Sequence, residues 1–302
     1  MPPIVSDLFQ PEPIAWVQRL FGPGHPEWFW ILSELGTPWG VAFVLALALV
    51  LWGRADAYAV AGVVVLNALA SLALNLLFDV PRPSHPSIIR YEIIKIGSFP
   101  SGHVLLATLL WGVLYVRRRV PIWVPGGVVL LASLSRMYLG VHYLADVMCA
   151  ALIGALLLAA YRPAWRRLES GLAKRPFGVF MAVGLLGVAA IAAGLVAGLV
   201  GSGPYEREAL GVVLGGVPAL LLEHRLVRYA PTPAGRAAAV GAVLAGIVPL
   251  ALIHRIAAKD AHWAGLLLIA LAMLWSLLAV PAILRRLRPA APLVYDSGSV
   301  HT

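Results

Sequence analysis

Charge is scarce in this chain. Asp, Glu, Lys and Arg make up 12% of its 302 residues, about half the ~25% usual for a soluble domain. A water-borne globular fold is therefore excluded first. Cysteine is scarcer still: the single Cys149 rules out an internal disulfide or a cysteine metal cluster. Ten-residue segments of alternating polarity are missing, which argues against a transmembrane β-barrel. The first 36 residues lack a basic start followed by a compact apolar run, so no cleavable signal peptide is expected there. No internal repeat is visible. No spacing of His, Asp or Glu suggests metal ligands, and no metal or cofactor is expected.

What remains is apolar. Hydrophobic residues make up 61% of the chain and the mean hydropathy is +0.87. A membrane span takes about 20 apolar residues, and such runs recur from end to end. The expected fold is all-α, a polytopic membrane helical bundle of about nine spans. Residues 1–36 read as an interfacial segment of one or two short helices, with an aromatic cluster at Trp28, Phe29 and Trp30. Thr37 and Pro38 suit the N-cap and first position of the first span. Further spans are expected near 57–78, 101–116, 122–138 and 143–160. Four more follow near 177–200, 209–222, 235–253 and 263–284. The boundaries are thus 1–36, a core at 37–165, an additional four-helix region at 166–288 and a tail at 289–302.

The net charge of +9 fits this topology better than a nucleic-acid partner, and none is expected. With nine spans, most of the Lys and Arg fall on one side: Arg54, Arg117 to Arg119, the 162–175 linker, Arg225, Arg228, Arg236, and Arg285 to Arg288. The excess of basic residues in cytoplasmic loops then sets the C-terminus inside and the N-terminus outside.

Three stretches meet at the outer face. Val80-Pro81-Arg82-Pro83 follows the second span, and Pro100-Ser101-Gly102-His103 opens the third. The run from Ser135-Arg136 to His142 and Asp146 joins the fourth to the fifth. His142 and Asp146 are four apart and share a helix face. A carboxylate on one ring nitrogen fixes the tautomer and frees the other as nucleophile or base. Arg82 and Arg136 offer planar paired donors that suit phosphate. Ser101 and Gly102 begin a helix whose free N–H groups favour an anion. Taken singly, each has a plainer reading: a structural His/Asp bond, snorkelling arginines, an N-cap serine. Their convergence favours chemistry. His85 and Lys95 in the nearby loop read as solvated, Tyr138 and Tyr143 as interfacial anchors. His254, Arg255, Lys259, Asp260 and His262 read as a polar outer loop.

Pro100-Ser101-Gly102-His103 and Ser135-Arg136-x5-His142-x3-Asp146 resemble the second and third signatures of the phosphatidic acid phosphatase type 2 superfamily. Arg82-Pro83 resembles the end of its first. The lysine that opens the first signature is Asn75 here. The likeness spans roughly residues 38–165. It implies that His142 attacks phosphorus to form a phosphohistidine, that Asp146 orients it, and that His103 protonates the leaving oxygen. By the same resemblance Arg82, Arg136, Ser101, Gly102, Ser135 and Asn75 would hold the phosphoryl oxygens. The implied activity is a phosphatase for a lipid phosphate or pyrophosphate monoester in the cell membrane, among membrane lipids. Its rivals are a phosphotransferase, a glucose-6-phosphatase-like enzyme for a soluble ester, and a non-catalytic lipid-binding scaffold. Oligomeric state is not legible.

Overall fold

The computed structural model describes residues 9–78, 80–94, 97–172, 204–257 and 263–287. Every regular element among them is helical. Two short helices, α1 (Glu12–Phe21) and α2 (Pro26–Ser33), precede a tight turn at Glu34–Gly36. Then come α3 (Pro38–Leu47, prolonged by a wide turn to Trp52), α4 (Arg54–Leu77), α5 (Gly102–Val116), α6 (Trp123–Tyr138) and α7 (Leu144–Leu172). The last part holds α8 (Pro204–Leu222, prolonged to Val227), α9 (Arg236–Ala257), α10 (Ala264–Leu274, prolonged to Ala279) and α11 (Val280–Arg286). The run expected at 177–200 and the tail from 289 lie outside the described residues.

The α3 start follows the sequence signal. The Thr37 hydroxyl accepts from Trp39 N at 3.2 Å, and Pro38 fills the first turn, where a missing N–H leaves nothing unsatisfied. Four stretches are long and apolar enough to cross a membrane unaided: Leu144–Arg167, Arg207–Val227, Pro233–Ala257 and Ala264–Arg286. A fifth arises if the 53° bend between Pro26–Gly36 and Pro38–Trp52 is one broken span. The other described runs are also helices. However, α5 has 15 residues and α6 has 16, about 23 Å at 1.5 Å per residue, against a hydrocarbon core of ~30 Å. The helix α4 opens on the charged pair Arg54 and Asp56.

The core lies where α5 is surrounded. Val104, Leu105, Ala107, Leu109 and Leu110 have no exposed surface, and α5 packs against α4, α6 and α7. The N-terminal helices pack on the end of α6, with Ile14, Val17 and Phe29 buried and Trp16, Leu20 and Trp28 exposed. Tyr138, read from sequence as an interfacial anchor, has no exposed surface. Its ring stacks on Phe29 at 3.7 Å and on Tyr91 at 5.5 Å, and its hydroxyl donates to the Gly22 carbonyl. An aromatic ring on the last turn of a span is a belt residue only if lipid reaches it, and here two preceding helices cover it.

The later helices are tied to the earlier ones by buried ions. Glu223, fully buried, accepts from Arg54 Nε at 2.8 Å and from Tyr229 N at 2.7 Å. Asp56, 1% exposed, is bound by Arg117 and Arg119.

Candidate active site

The backbone brings the three sequence stretches together in a few steps. The helix α6 ends at Tyr138, and Gly140 turns the chain with φ +70°, a left-handed conformation that favours glycine. A Cβ on Gly140 would fall 2.2 Å from the Ile89 carbonyl oxygen, so the 80–94 loop lies directly on this turn. Tyr91 N donates to Leu139 O at 3.1 Å beside it. Residues 141–143 are extended, and α7 begins at Leu144. Asp146 sits in its first turn and reaches back: Oδ2 accepts from Tyr143 N at 2.8 Å, as the acidic residue of a capping box does. The start of α5 is held to the same place by Ser101 N, which donates to the Asp146 carbonyl at 3.3 Å. On the other side, the turn at Gly36 lies against His103. A Cβ there would fall 2.3 Å from the His103 carbonyl oxygen.

Within this frame His142 is 2% exposed. Its Nδ1 lies 3.4 Å from Asp146 Oδ2, near but not hydrogen-bonded, and has no hydrogen-bond partner among the described residues. Its Nε2 lies 3.2 Å from Arg82 Nη1. Arg82 is anchored by the Val141 carbonyl at 2.9 Å and the Gly97 carbonyl at 3.0 Å. Ser98 donates from Oγ to Asp146 Oδ1 at 3.3 Å, so both carboxylate oxygens are engaged. His103 stands in the first turn of α5, within electrostatic reach of Arg136, His142 and Arg82.

Arg136 has no exposed surface. It donates from Nη1 to Ser33 Oγ at 3.0 Å and from Nη2 to Glu92 Oε2 at 3.0 Å. Among the described residues its buried Nε has no acceptor and the buried Ser101 hydroxyl has no hydrogen-bond partner. Ser101 therefore sits at the N-cap position without capping through its side chain. Open space surrounds Gly102 where a Cβ would be, so the first amides of α5 are approachable. Ser135 is directed elsewhere: its hydroxyl donates to the Phe29 carbonyl at 2.6 Å and fastens α2. Asn75 lies two residues before the end of α4, and its side chain is outside the described residues. On the same helix face the Asn67 carbonyl oxygen and Ser71 hydroxyl are buried with no hydrogen-bond partner among the described residues.

Burial, then the nearby charges of Arg82 and Arg136, push the His142 imidazole well below the ordinary histidine range. Burial and Arg136 lower Arg82 to about 10, which leaves it cationic at neutral pH. Among the described residues no group of three or more His, Cys, Asp or Glu is placed to hold a metal. Two guanidinium groups, approachable helix-start amides and an imidazole lie together, a set of donors whose chemistry suits an anion.

Sequence reading missed Glu92, Ser98, Ser33 and Gln18. Gln18 donates from Nε2 to Ile89 O and Tyr138 O, both at 2.7 Å, and accepts from Ile89 N at 3.0 Å. It clamps α1 to the loop and to α6. His85 pairs with neighbouring Ser87 in an exposed turn. His254 is not part of a plain loop: its Nε2 lies 2.8 Å from Glu208 Oε1 at the end of α9. Lys95, Lys259, Asp260 and His262 lie outside the described residues.

Residues 39–169 match the PAP2 superfamily model. Sphingosine-1-phosphate phosphatase 2 of Mus musculus is 36% identical over 100 residues, covering 30% of this chain and 28% of that protein. The Homo sapiens protein of the same name is 36% identical over 96 residues, covering 28% of this chain and 24% of its own. The chain thus spans 24–28% of the length of the curated relatives it matches. No solved structure matches it. The matched segment contains His103, His142, Asp146 and both arginines, while α8 to α11 follow it. Residues 39–169, a little under half of the chain, are thus similar to the PAP2 superfamily.

Proposed function

We propose that the protein is a membrane phosphatase that hydrolyses a lipid phosphate monoester through a phosphohistidine. One observation carries the reading: His142 is held with one ring nitrogen toward Asp146 and the other beside Arg82. In the proposed cycle the Nε2 lone pair attacks phosphorus and the bond to the leaving oxygen breaks. His103 supplies the proton that this oxygen takes up. Arg82, the Arg136 Nε, the Ser101 hydroxyl and the Gly102 amide bind the three phosphoryl oxygens as charge spreads over them. Water then attacks the phosphohistidine, with His103 taking its proton, and His142 and inorganic phosphate are released.

A lipid substrate is favoured by the surroundings. A largely apolar groove of about 390 Å³ between α1, α2 and α6 is lined by Phe21, His25, Trp28, Phe29, Leu32, Leu131 and Leu134, and an acyl chain could lie in it. The names of the two relatives also point to a phosphorylated lipid. We assign catalysis to 37–165 and propose nine spans with the N-terminus and the site outside and the C-terminus inside. The charge distribution supports that orientation.

Phosphate release by the purified full-length protein tests this across phosphatidic acid, sphingosine 1-phosphate, an isoprenoid pyrophosphate and glucose 6-phosphate. Release from a long-chain substrate and its loss in His142→Ala are expected. Silence on every lipid, or turnover of glucose 6-phosphate alone, would overturn the lipid phosphatase reading.

A further inference from the structure

At the other end of α5, a second pocket has the opposite architecture. Helix α5 carries His103 in its first turn and Arg117 just past its last, so the two pockets open toward opposite ends of the bundle. The second is a cavity of about 220 Å³ between α4, α5 and α7. Arg117, Arg118, Arg162 and Arg166 line it together with Tyr161 and Trp165, and Ala59, Val113 and Val116 form its apolar side. We propose that this pocket binds the phosphate head group of an anionic membrane lipid.

The excess of basic residues on one side of a membrane protein accounts for arginines at span ends, but not for a walled cavity around them. Arg162 and Arg166 are four apart on α7 and share a face. Arg118 is held in a left-handed turn at φ 58° that carries it off the α5 axis, a conformation a non-glycine residue adopts at some energetic cost. Asp56 is bound by Arg117 and Arg119, and none of the cavity's lining residues is acidic. Among the described residues no carboxylate pairs with Arg118, Arg162 or Arg166, and the three face one space. The aromatic wall is fixed: Tyr161 donates to the Ala59 carbonyl at 2.9 Å and stacks on Trp165 at 5.4 Å. The buried indole N–H of Trp165 has no acceptor among the described residues. A phosphate carries several acceptor oxygens that answer to guanidinium and indole donors together. The cavity is too small for a whole lipid and too apolar on one side for a free anion. Val116 and Val113 continue one turn inward from the arginines along α5, where the glycerol and first methylenes of a membrane lipid would lie.

The test titrates phosphatidylglycerol against the full-length protein in neutral detergent and counts bound lipid by native mass spectrometry. Losing two charge-assisted contacts in R162Q/R166Q should weaken binding about tenfold or more. R236Q, which removes an equally exposed arginine from the start of α9, should leave it unchanged. Millimolar inorganic phosphate should not displace the lipid. Equal binding by the double variant, or an equal loss in R236Q, would reduce the pocket to diffuse surface charge and overturn the proposal. Displacement by inorganic phosphate would make it a small-anion site and overturn the lipid assignment. Because both altered residues are exposed, a melting temperature like that of the parent protein is the expected control.

Discussion

An imidazole attacks phosphorus only when neutral, and the residues around His142 keep it so. Burial and two guanidinium groups hold its proton affinity below the ordinary histidine value, so the neutral form persists as pH falls past ~6.5. The acid limb of kcat/KM assigned to this group should therefore lie below pH 6.5, as a pH–rate profile would show. The same sign acts on folding. An unfolded His142 takes up a proton near pH 6.5 while the folded one does not, so its share of stability is complete above ~6.5 and is lost as pH falls through the folded value. His142→Ala should abolish turnover. His103→Ala should hurt an alkyl phosphate more than an aryl phosphate, whose better leaving group has less need of a proton; equal losses would remove His103 from the acid role. Asn75 stands where the family carries lysine. If it faces the phosphate, Asn75→Lys adds a charge-assisted contact of about 1.5–3 kcal/mol, roughly 10- to 100-fold in rate. Under that reading Asn75→Lys keeps or raises activity, and Asn75→Leu lowers it without unfolding. Aggregation of both variants on size-exclusion chromatography would instead assign Asn75 to the polar stripe of Asn67 and Ser71.

At the scale of elements, the turn between α6 and α7 decides whether the histidine meets its arginines. Gly140→Ala would put a Cβ into the Ile89 carbonyl at a positive φ, at a cost of about 2 kcal/mol or more from left-handed strain and displacement combined. The expected outcome is a sharp fall in phosphate release with a smaller drop in melting temperature; unchanged kinetics would show that the 80–94 loop tolerates movement. The positions of α3 to α7 were legible in the sequence because apolar runs, the Thr37-Pro38 start and the triple-arginine turn are local signals. The histidines, Asp146, Arg82 and Arg136 were legible through the residue types near them. Glu92, Ser98, Ser33 and Gln18 were not, because each is one polar residue whose partner lies 44 to 120 positions away. No periodicity marks such a pairing. Tyr138 misled for the same reason: belt and buried positions look alike until the covering helices are known.

Across the whole molecule, orientation is read from which face of the membrane each loop occupies. In a Cys149→Ala background, a cysteine in the 84–92 loop should react with an impermeant thiol reagent from outside, and one beside Arg118 should not. Reversed labelling would place the site on the other face. The Arg54–Glu223 contact joins the family region to the later helices, and its carboxylate is fully buried. The N-terminal clamp has a further consequence, one of timing. Gln18 leaves the ribosome early, yet its Tyr138 partner comes 120 residues later, about 6–24 s at 5–20 residues per second. Until Ile89 and then Tyr138 follow, α1, with Ile14 and Val17 on its inner face, lacks the partners that Gln18 clamps. The rim of the site is thus completed only after α6 is in place, and α1 docks later than its place in the chain suggests.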